Sequence, residues 1–181
     1  KLELRSKVSS FAAQYLQVPL IYVNQIGAND NLIFDGNSFI LDKNGSKIKQ
    51  LKSFSEDLSS WEIEQTKPEA NQFENSEMSS IFDALVLGVK DYAKKCGFKT
   101  ALIGLSGGID SALVSAIATA ALGSDNVYCV SMPSKWSSSH SKNDAKDLAR
   151  RLKINFNSIP IENLMTSFEE SLIKTIDFGM A

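Results

Sequence analysis

The chain has one histidine and two cysteines among 181 residues, and each scarcity removes a class of protein. His140 is the sole histidine, and an imidazole within a polar loop is read as a solvated side chain rather than a catalytic one. Cys96 and Cys129 show no Cys-x-x-Cys spacing, so a disulfide framework and the common metal and redox motifs are excluded. Each thiol is expected to be a small buried apolar group in a reduced, cytoplasmic protein. Charge of one sign is also lacking: 19 basic residues face 21 acidic ones, for a net charge of -2. Nucleic acid is therefore not expected as a partner, and an anionic ligand must be held locally. No run of about 18 apolar residues occurs, so no membrane-spanning helix is expected. Internal repeats and low-complexity tracts are absent. The sequence opens without Met and closes at Asp177-Phe-Gly-Met-Ala181, and it is expected to be a piece of something longer.

What is present is ordinary globular composition, 43% hydrophobic and 22% charged, and one unusual string. Residues 101–111 read Ala-Leu-Ile-Gly-Leu-Ser-Gly-Gly-Ile-Asp-Ser. Leu102, Ile103 and Leu105 suit a buried parallel strand, and the Ala-rich stretch 111–122 suits a closely packed helix. A strand-to-helix turn places the partnerless first N–H groups of the helix, and the positive end of its dipole, at one point, which favours an anion. Gly107 and Gly108 would let a phosphate approach the backbone, and the hydroxyls of Ser106 and Ser111 could donate to its oxygens. Asp110 is repulsive beside phosphates unless a cation lies between, so it predicts a hard divalent ion, Mg²⁺. The Gly-Lys-Ser/Thr ending of a Walker A loop is missing. Five fixed positions match by chance on the order of once per million start points at roughly 7% usage each.

The rest of the chain organises around that turn. Leu2, Val8, Phe11, Ala12, Tyr15 and Leu16 predict one apolar helical face over 2–16, followed by a strand at 18–23. Gly27 to Asn31 is read as a polar connection to a strand at 37–41, and Asp42-Lys-Asn-Gly45 as the turn of a hairpin closed by a strand at 47–51. From Ser53 the sequence turns polar. A first domain at 1–62, a linker at 63–76 and a second domain at 77–181 are expected. The second domain should open with a helix that stops at Gly97. Strands at 101–105, 127–132 and 154–161 should then alternate with helices at 111–122, 141–152 and 163–176. Such βα units give an α/β fold, a parallel sheet with flanking helices whose ligands lie beyond the carboxyl ends of the strands.

The second strand empties into Ser131-Met-Pro-Ser-Lys-Trp-Ser-Ser-Ser-His-Ser, at the same rim as the first loop. Ser134, Lys135, Ser137, Ser138, Ser139 and Ser141 could bond a nucleotide or pyrophosphate. A solvated loop in which Ser141 or Asn143 caps the next helix explains the same residues equally well.

The Ser-Gly-Gly-x-Asp-Ser string resembles the signature of the PP-loop ATP pyrophosphatases. Together with Met-Pro-Ser-Lys-Trp-Ser-Ser and Asn-Asp-Ala-Lys-Asp-Leu-Ala it is similar to the synthetase domain of the glutamine-dependent NAD⁺ synthetase family. Val18-Pro-Leu-Ile-Tyr-Val-Asn-Gln-Ile-Gly and Phe34-Asp-Gly-Asn-Ser-Phe resemble the end of that family's nitrilase-like glutaminase domain, an α-β-β-α fold. The resemblance implies that ATP activates the nicotinate carboxylate of deamido-NAD⁺ as an acyl-adenylate, and that ammonia from glutamine then displaces AMP. It implies an ATP loop at Gly104, Leu105, Ser106, Gly107, Gly108, Ile109, Asp110 and Ser111, with Asp110 as the Mg²⁺ ligand. It also implies a glutamine contact at Lys1, a Glu-Lys-Cys triad upstream of Lys1, a deamido-NAD⁺ site beyond Ala181, and homo-oligomers of the intact enzyme. The 181-residue piece alone is expected to be inactive. Rival expectations are another PP-loop amidotransferase and a nucleotide-binding module without turnover.

Overall fold

A computed structural model describes residues 2–63 and 76–175; Lys1, with the glutamine-contact expectation, and 64–75, which make up nearly all of the expected linker, lie outside them. The chain divides after Tyr92 into two compact units.

The first unit begins with α1 (Leu2–Leu16), then β1 (Leu20–Tyr22), β2 (Ile26–Asn29), β3 (Leu32–Asp35), β4 (Phe39–Leu41) and β5 (Lys47–Gln50). Helix α2 (Glu77–Cys96) spans the division. Strands β1, β4 and β5 form an antiparallel sheet with β4 in the centre. Phe39, Leu41 and Ile48 are buried there, with Ala13 of α1 against them. Tyr22 stacks on Phe39 at 5.0 Å between ring centroids.

Two expectations for this unit are corrected. Helix α1 forms over the predicted residues, but it does not bury the predicted face. Ser9 and Ala13 are buried, whereas Val8, Phe11, Tyr15 and Leu16 are exposed. The cause is the closeness of the β4–β5 turn. Ser10 Oγ donates to the Gly45 carbonyl, Gln14 Nε2 donates to Asn44 O at 2.8 Å, and a Cβ on Gly45 would fall 2.8 Å from the Ser10 carbonyl oxygen. Polar side chains therefore face the turn, and Ala13 packs against Phe39 and Leu41. The stretch 27–31 is not a simple connection either. Ile26–Asn29 pairs antiparallel with Leu32–Asp35 through the two-residue loop Asp30-Asn31. Asp30 takes a left-handed backbone (φ 50), which Asp tolerates better than most residues. Asp35 then ties the unit together, accepting from Arg5 Nη2 at 3.0 Å, Asn24 Nδ2 at 2.9 Å and Asn37 Nδ2 at 2.9 Å. The hairpin is held to α2 by Asp91, whose carboxylate accepts from Ala28 N at 2.8 Å.

The second unit is the expected alternation: β6 (Ala101–Gly104), α3 (Ile109–Leu122), β7 (Val127–Ser131), α4 (Ser139–Leu152), β8 (Asn155–Ser158) and α5 (Glu162–Thr175). A short 3-10 turn at Ser124–Asn126 precedes β7. The strands are parallel in the order β6-β7-β8. When strands advance in one direction, crossovers of one hand bring successive helices to one face; α3 packs on β6 and β7, α4 on β7 and β8, and the two helices touch. Between them and the sheet lies a core of Leu105, Ala118, Val127, Cys129, Ala145, Ala149 and Ile154. Alanines on both helices let them approach the sheet closely. Cys129 is buried as expected, but Cys96 is exposed, because it ends α2 just before Gly97 turns the chain with φ 75. No helix of the described residues is long and apolar enough to cross a membrane.

Leu105 is 1% exposed and sits where the core meets the loop after β6. Leu105→Ala is expected to lower unfolding stability by about 2–4 kcal/mol through lost burial and a residual cavity, read from the denaturant midpoint. A change under about 0.5 kcal/mol, within the range of ordinary surface substitutions, would place Leu105 outside the core.

Candidate functional site

The segment from Leu105 to Gly108 joins β6 to α3, and its shape is fixed from both ends. Leu105 extends the sheet ladder by donating its N–H to Val130 O at 2.9 Å. Beyond it the two serine hydroxyls close the loop on itself. Ser106 Oγ lies 3.0 Å from Ser111 Oγ and accepts from Gly108 N at 3.1 Å. Ser111 Oγ accepts from Ser106 N at 3.2 Å and lies 3.0 Å from Gly108 O, to which it can donate. Ser111 is itself anchored, since its carbonyl accepts from the fully buried Ser115 at 2.8 Å. The hydroxyls expected to meet phosphate oxygens are therefore also the braces that set the loop's curvature.

Glycine is required at Gly107 for a reason the sequence does not reveal. Its φ is 86, and a Cβ there would sit 2.2 Å from the backbone carbonyl oxygen of Ser141. The close neighbour is the first turn of α4, so the residue permits backbone to touch backbone. Gly108 differs. Its φ is -85, and an added Cβ would meet only Ser106 Oγ at 3.3 Å. Gly108 is the N-cap of α3 and no side chain caps that end. The first N–H groups of α3 thus face outward beside two glycines, and the helix dipole adds positive potential there. Ile109 and Asp110 follow, both exposed.

No group of three or more His, Cys, Asp or Glu that could hold a metal occurs among the described residues. Asp110 is an exposed carboxylate in the first turn of α3, and a single carboxylate could hold Mg²⁺ only together with substrate phosphates and water. A second groove is lined by Gly107, Gly108, Asp144, Asp147 and Arg151. Hydrogen bonds from Arg150 and Arg151 hold the Asp147 carboxyl below the usual carboxylate range, so this anion is already compensated by its own helix.

The serine-rich loop after β7 divides its residues between two tasks. Ser134 and Ser137 brace it: Ser137 Oγ accepts from Ser134 N at 3.0 Å, and Ser134 Oγ accepts from Trp136 N at 3.2 Å. Ser138 is the N-cap of α4, accepting from Ser141 N at 3.1 Å. The helix begins at Ser139 rather than at the expected 141, and neither Ser141 nor Asn143 is its cap. Exposed His140 lies in that first turn. Lys135 turns toward α5, reaching Glu169 Oε1 at 3.4 Å, and lies over the Trp136 ring at 5.5 Å.

A cleft of about 190 Å³ opens between the carboxyl ends of β6 and β7. Its walls come from Gly104, Leu105 and Ser106 on one side and from 130–133 on the other, with Ser137, Ser141 and Lys142 closing it. Of the predicted residues, Gly104, Leu105, Ser106, Ser137 and Ser141 line this cleft, while Gly107 to Ser111, Ser134, Lys135, Ser138 and Ser139 do not. Lys142 escaped the sequence reading; the signal was its place one residue past Ser141 in a helix leaving the same rim.

Residues 81–181 match the family described as NAD synthase. The chain belongs to the NAD synthase family. It is 45% identical to the glutamine-dependent NAD(+) synthetase of Synechocystis sp. over 98% of its own length and 33% of that protein's. Against the glutamine-dependent NAD(+) synthetase of Rhodobacter capsulatus it is 39% identical over 95% of its length and 32% of the relative's. The solved glutamine-dependent NAD+ synthetase from Acinetobacter baumannii, in complex with adenosine diphosphate, superposes with a TM-score of 0.89 at 36% identity, covering 99% of this chain and 35% of that one. The same fold recurs in the enzyme from Cytophaga hutchinsonii at 16% identity, with a TM-score of 0.86. This NAD synthase chain thus spans about a third of the length of the relatives it matches.

The two glycines of the NAD synthase loop should respond differently to a methyl group. Gly107→Ala must displace the first turn of α4 and is expected to lower the thermal midpoint by several degrees, whereas Gly108→Ala should leave it within about one degree. Equal midpoints for the two variants would contradict the close approach to Ser141.

Proposed function

We propose that this chain supplies the ATP site of a glutamine-dependent NAD⁺ synthetase, together with the end of its glutaminase domain. The observation that carries the proposal is the uncapped start of α3, turned outward beside Gly107 and Gly108 at the carboxyl rim of a parallel sheet, with an open cleft next to it that shares Ser106 with the loop. Likeness to a solved family member crystallised with ADP supports it.

In this reading the backbone N–H groups at 109–111 hold the terminal phosphates of ATP, and the cleft takes the nucleoside. The nicotinate carboxylate of deamido-NAD⁺ attacks the α-phosphorus, the bond from that phosphorus to the bridging oxygen breaks, and pyrophosphate leaves. Ammonia then attacks the acyl carbon, AMP departs and a proton is lost. No protein nucleophile is needed, so the work of the chain is orientation and charge compensation. Mg²⁺, when bound, neutralises phosphate charge, and Asp110 is the residue that would hold it. Residues 1–62 are the remainder of a nitrilase-like glutaminase domain, 63–76 a linker and 77–181 the head of the PP-loop domain. The Glu-Lys-Cys triad that releases ammonia and the deamido-NAD⁺ contacts belong to other parts of the enzyme, which is cytoplasmic, homo-oligomeric and indifferent to nucleic acid.

The test is exchange of labelled pyrophosphate into ATP by the full-length protein. Exchange that depends on deamido-NAD⁺ is expected; exchange driven by a different acid would assign the site to another amidating enzyme, and ATP binding without any exchange would leave a binding module. Asp110→Asn should reduce affinity for Mg-ATP at least tenfold while changing metal-free ATP binding less than twofold, since only the former uses the carboxylate. Equal losses would remove Asp110 from the metal.

A further inference from the structure

The cleft at the ends of β6 and β7 is lined by main chain, by the apolar side chains of Leu105, Val130, Met132 and Pro133, and by serines. Among its lining residues only Lys142 carries a charge. The side chain is exposed, and none of the ion pairs found among the described residues involves it. The contrast with Lys135 is instructive, because that lysine, nearer the loop tip, is engaged by Glu169. An ammonium at the edge of an apolar, hydroxyl-rimmed cavity is suited to an occupant that brings an anion to it.

The division of the site says which anion. Ser106 belongs to the cleft, but Gly107, Gly108 and Ile109 do not; they line the groove on the other side of the loop. An ATP molecule with its terminal phosphates on the start of α3 and its nucleoside in the cleft passes its innermost phosphate across Ser106, on the cleft side.

We propose that Lys142 is a positioning residue for the α-phosphate of the nucleotide, a role that rests on the ATP assignment above. Its ammonium donates to a non-bridging oxygen of that phosphate from the face of the cleft opposite Ser106. There it orients the phosphorus for the incoming carboxylate and offsets the negative charge that the attack adds. Arginine would keep the charge, and glutamine would keep a neutral hydrogen-bond donor on a shorter side chain.

Competition binding on the full-length protein, with a fluorescent adenine nucleotide displaced in turn by ATP, AMP, adenosine and inorganic pyrophosphate, separates the possibilities. Lys142→Gln is expected to weaken ATP and AMP roughly tenfold, the loss of one charge-assisted hydrogen bond. Adenosine and pyrophosphate should be unaffected, because neither presents an α-phosphate ester. Lys142→Arg should retain most of the affinity, and a thermal midpoint matching the wild type for Lys142→Gln shows that the fold is intact. Unchanged ATP and AMP affinity would overturn the assignment, as would an equal loss for adenosine, which means cleft shape, or a loss for pyrophosphate, which places the lysine on the terminal phosphates. Absence of ATP binding by the wild-type protein would instead overturn the functional proposal, and the Lys142 role with it.

Discussion

Backbone touches backbone where Gly107 meets Ser141, and the site depends on that contact. A residue with any side chain would place a carbon 2.2 Å from the Ser141 carbonyl oxygen, far inside contact distance. With glycine, the loop after β6 can lie against the first turn of α4. The contact fixes two things at once: the direction in which α3 presents its uncapped N-terminus, and the distance from the β6 rim to the wall formed by Ser141 and Lys142.

The polar atoms around this contact are arranged to keep the loop rigid. Ser106 and Ser111 bond each other and the backbone of the loop they flank, and Ser111 is fixed to the core through Ser115. Binding an anion then costs little ordering of the protein, which is the physical basis of preorganisation. The charge balance is local in the same way. A chain of net charge -2 offers no broad attraction for a polyanion, so a few aligned N–H groups and one lysine must carry the electrostatics, while Asp110 supplies the opposite sign where a cation is needed.

Much of the second unit was legible in the sequence because its signals are short-range. Gly97 and Gly123 end α2 and α3, apolar runs mark β6 and β7, and the Ser-Gly-Gly-x-Asp-Ser string lies between a strand and a helix. The start of α4 was not legible: Ser137, Ser138, Ser139 and Ser141 are chemically equivalent as caps, and only packing against Gly107 selects Ser138. Lys142 was invisible for the same reason, since its place in the cleft follows from the register of α4. In the first unit α1 forms where its periodicity predicts but buries a different face: Ser10 and Gln14 bond the β4–β5 turn and Ala13 meets Phe39 and Leu41, which leaves Val8 and Phe11 outside. The hairpin of β2 and β3 was missed because Asp30 supplies a left-handed turn where the pattern showed only polar residues.

The central claim is that the loop from Ser106 to Ser111 and the adjoining cleft together form one nucleotide site. Amide hydrogen exchange on the full-length protein, with and without Mg-ATP, tests it most directly, because the N–H groups at the start of α3 are the ones assigned to the phosphates. Slowed exchange concentrated in 104–112 and 130–142 is the predicted result. Protection elsewhere, with those two segments unchanged, would contradict the account.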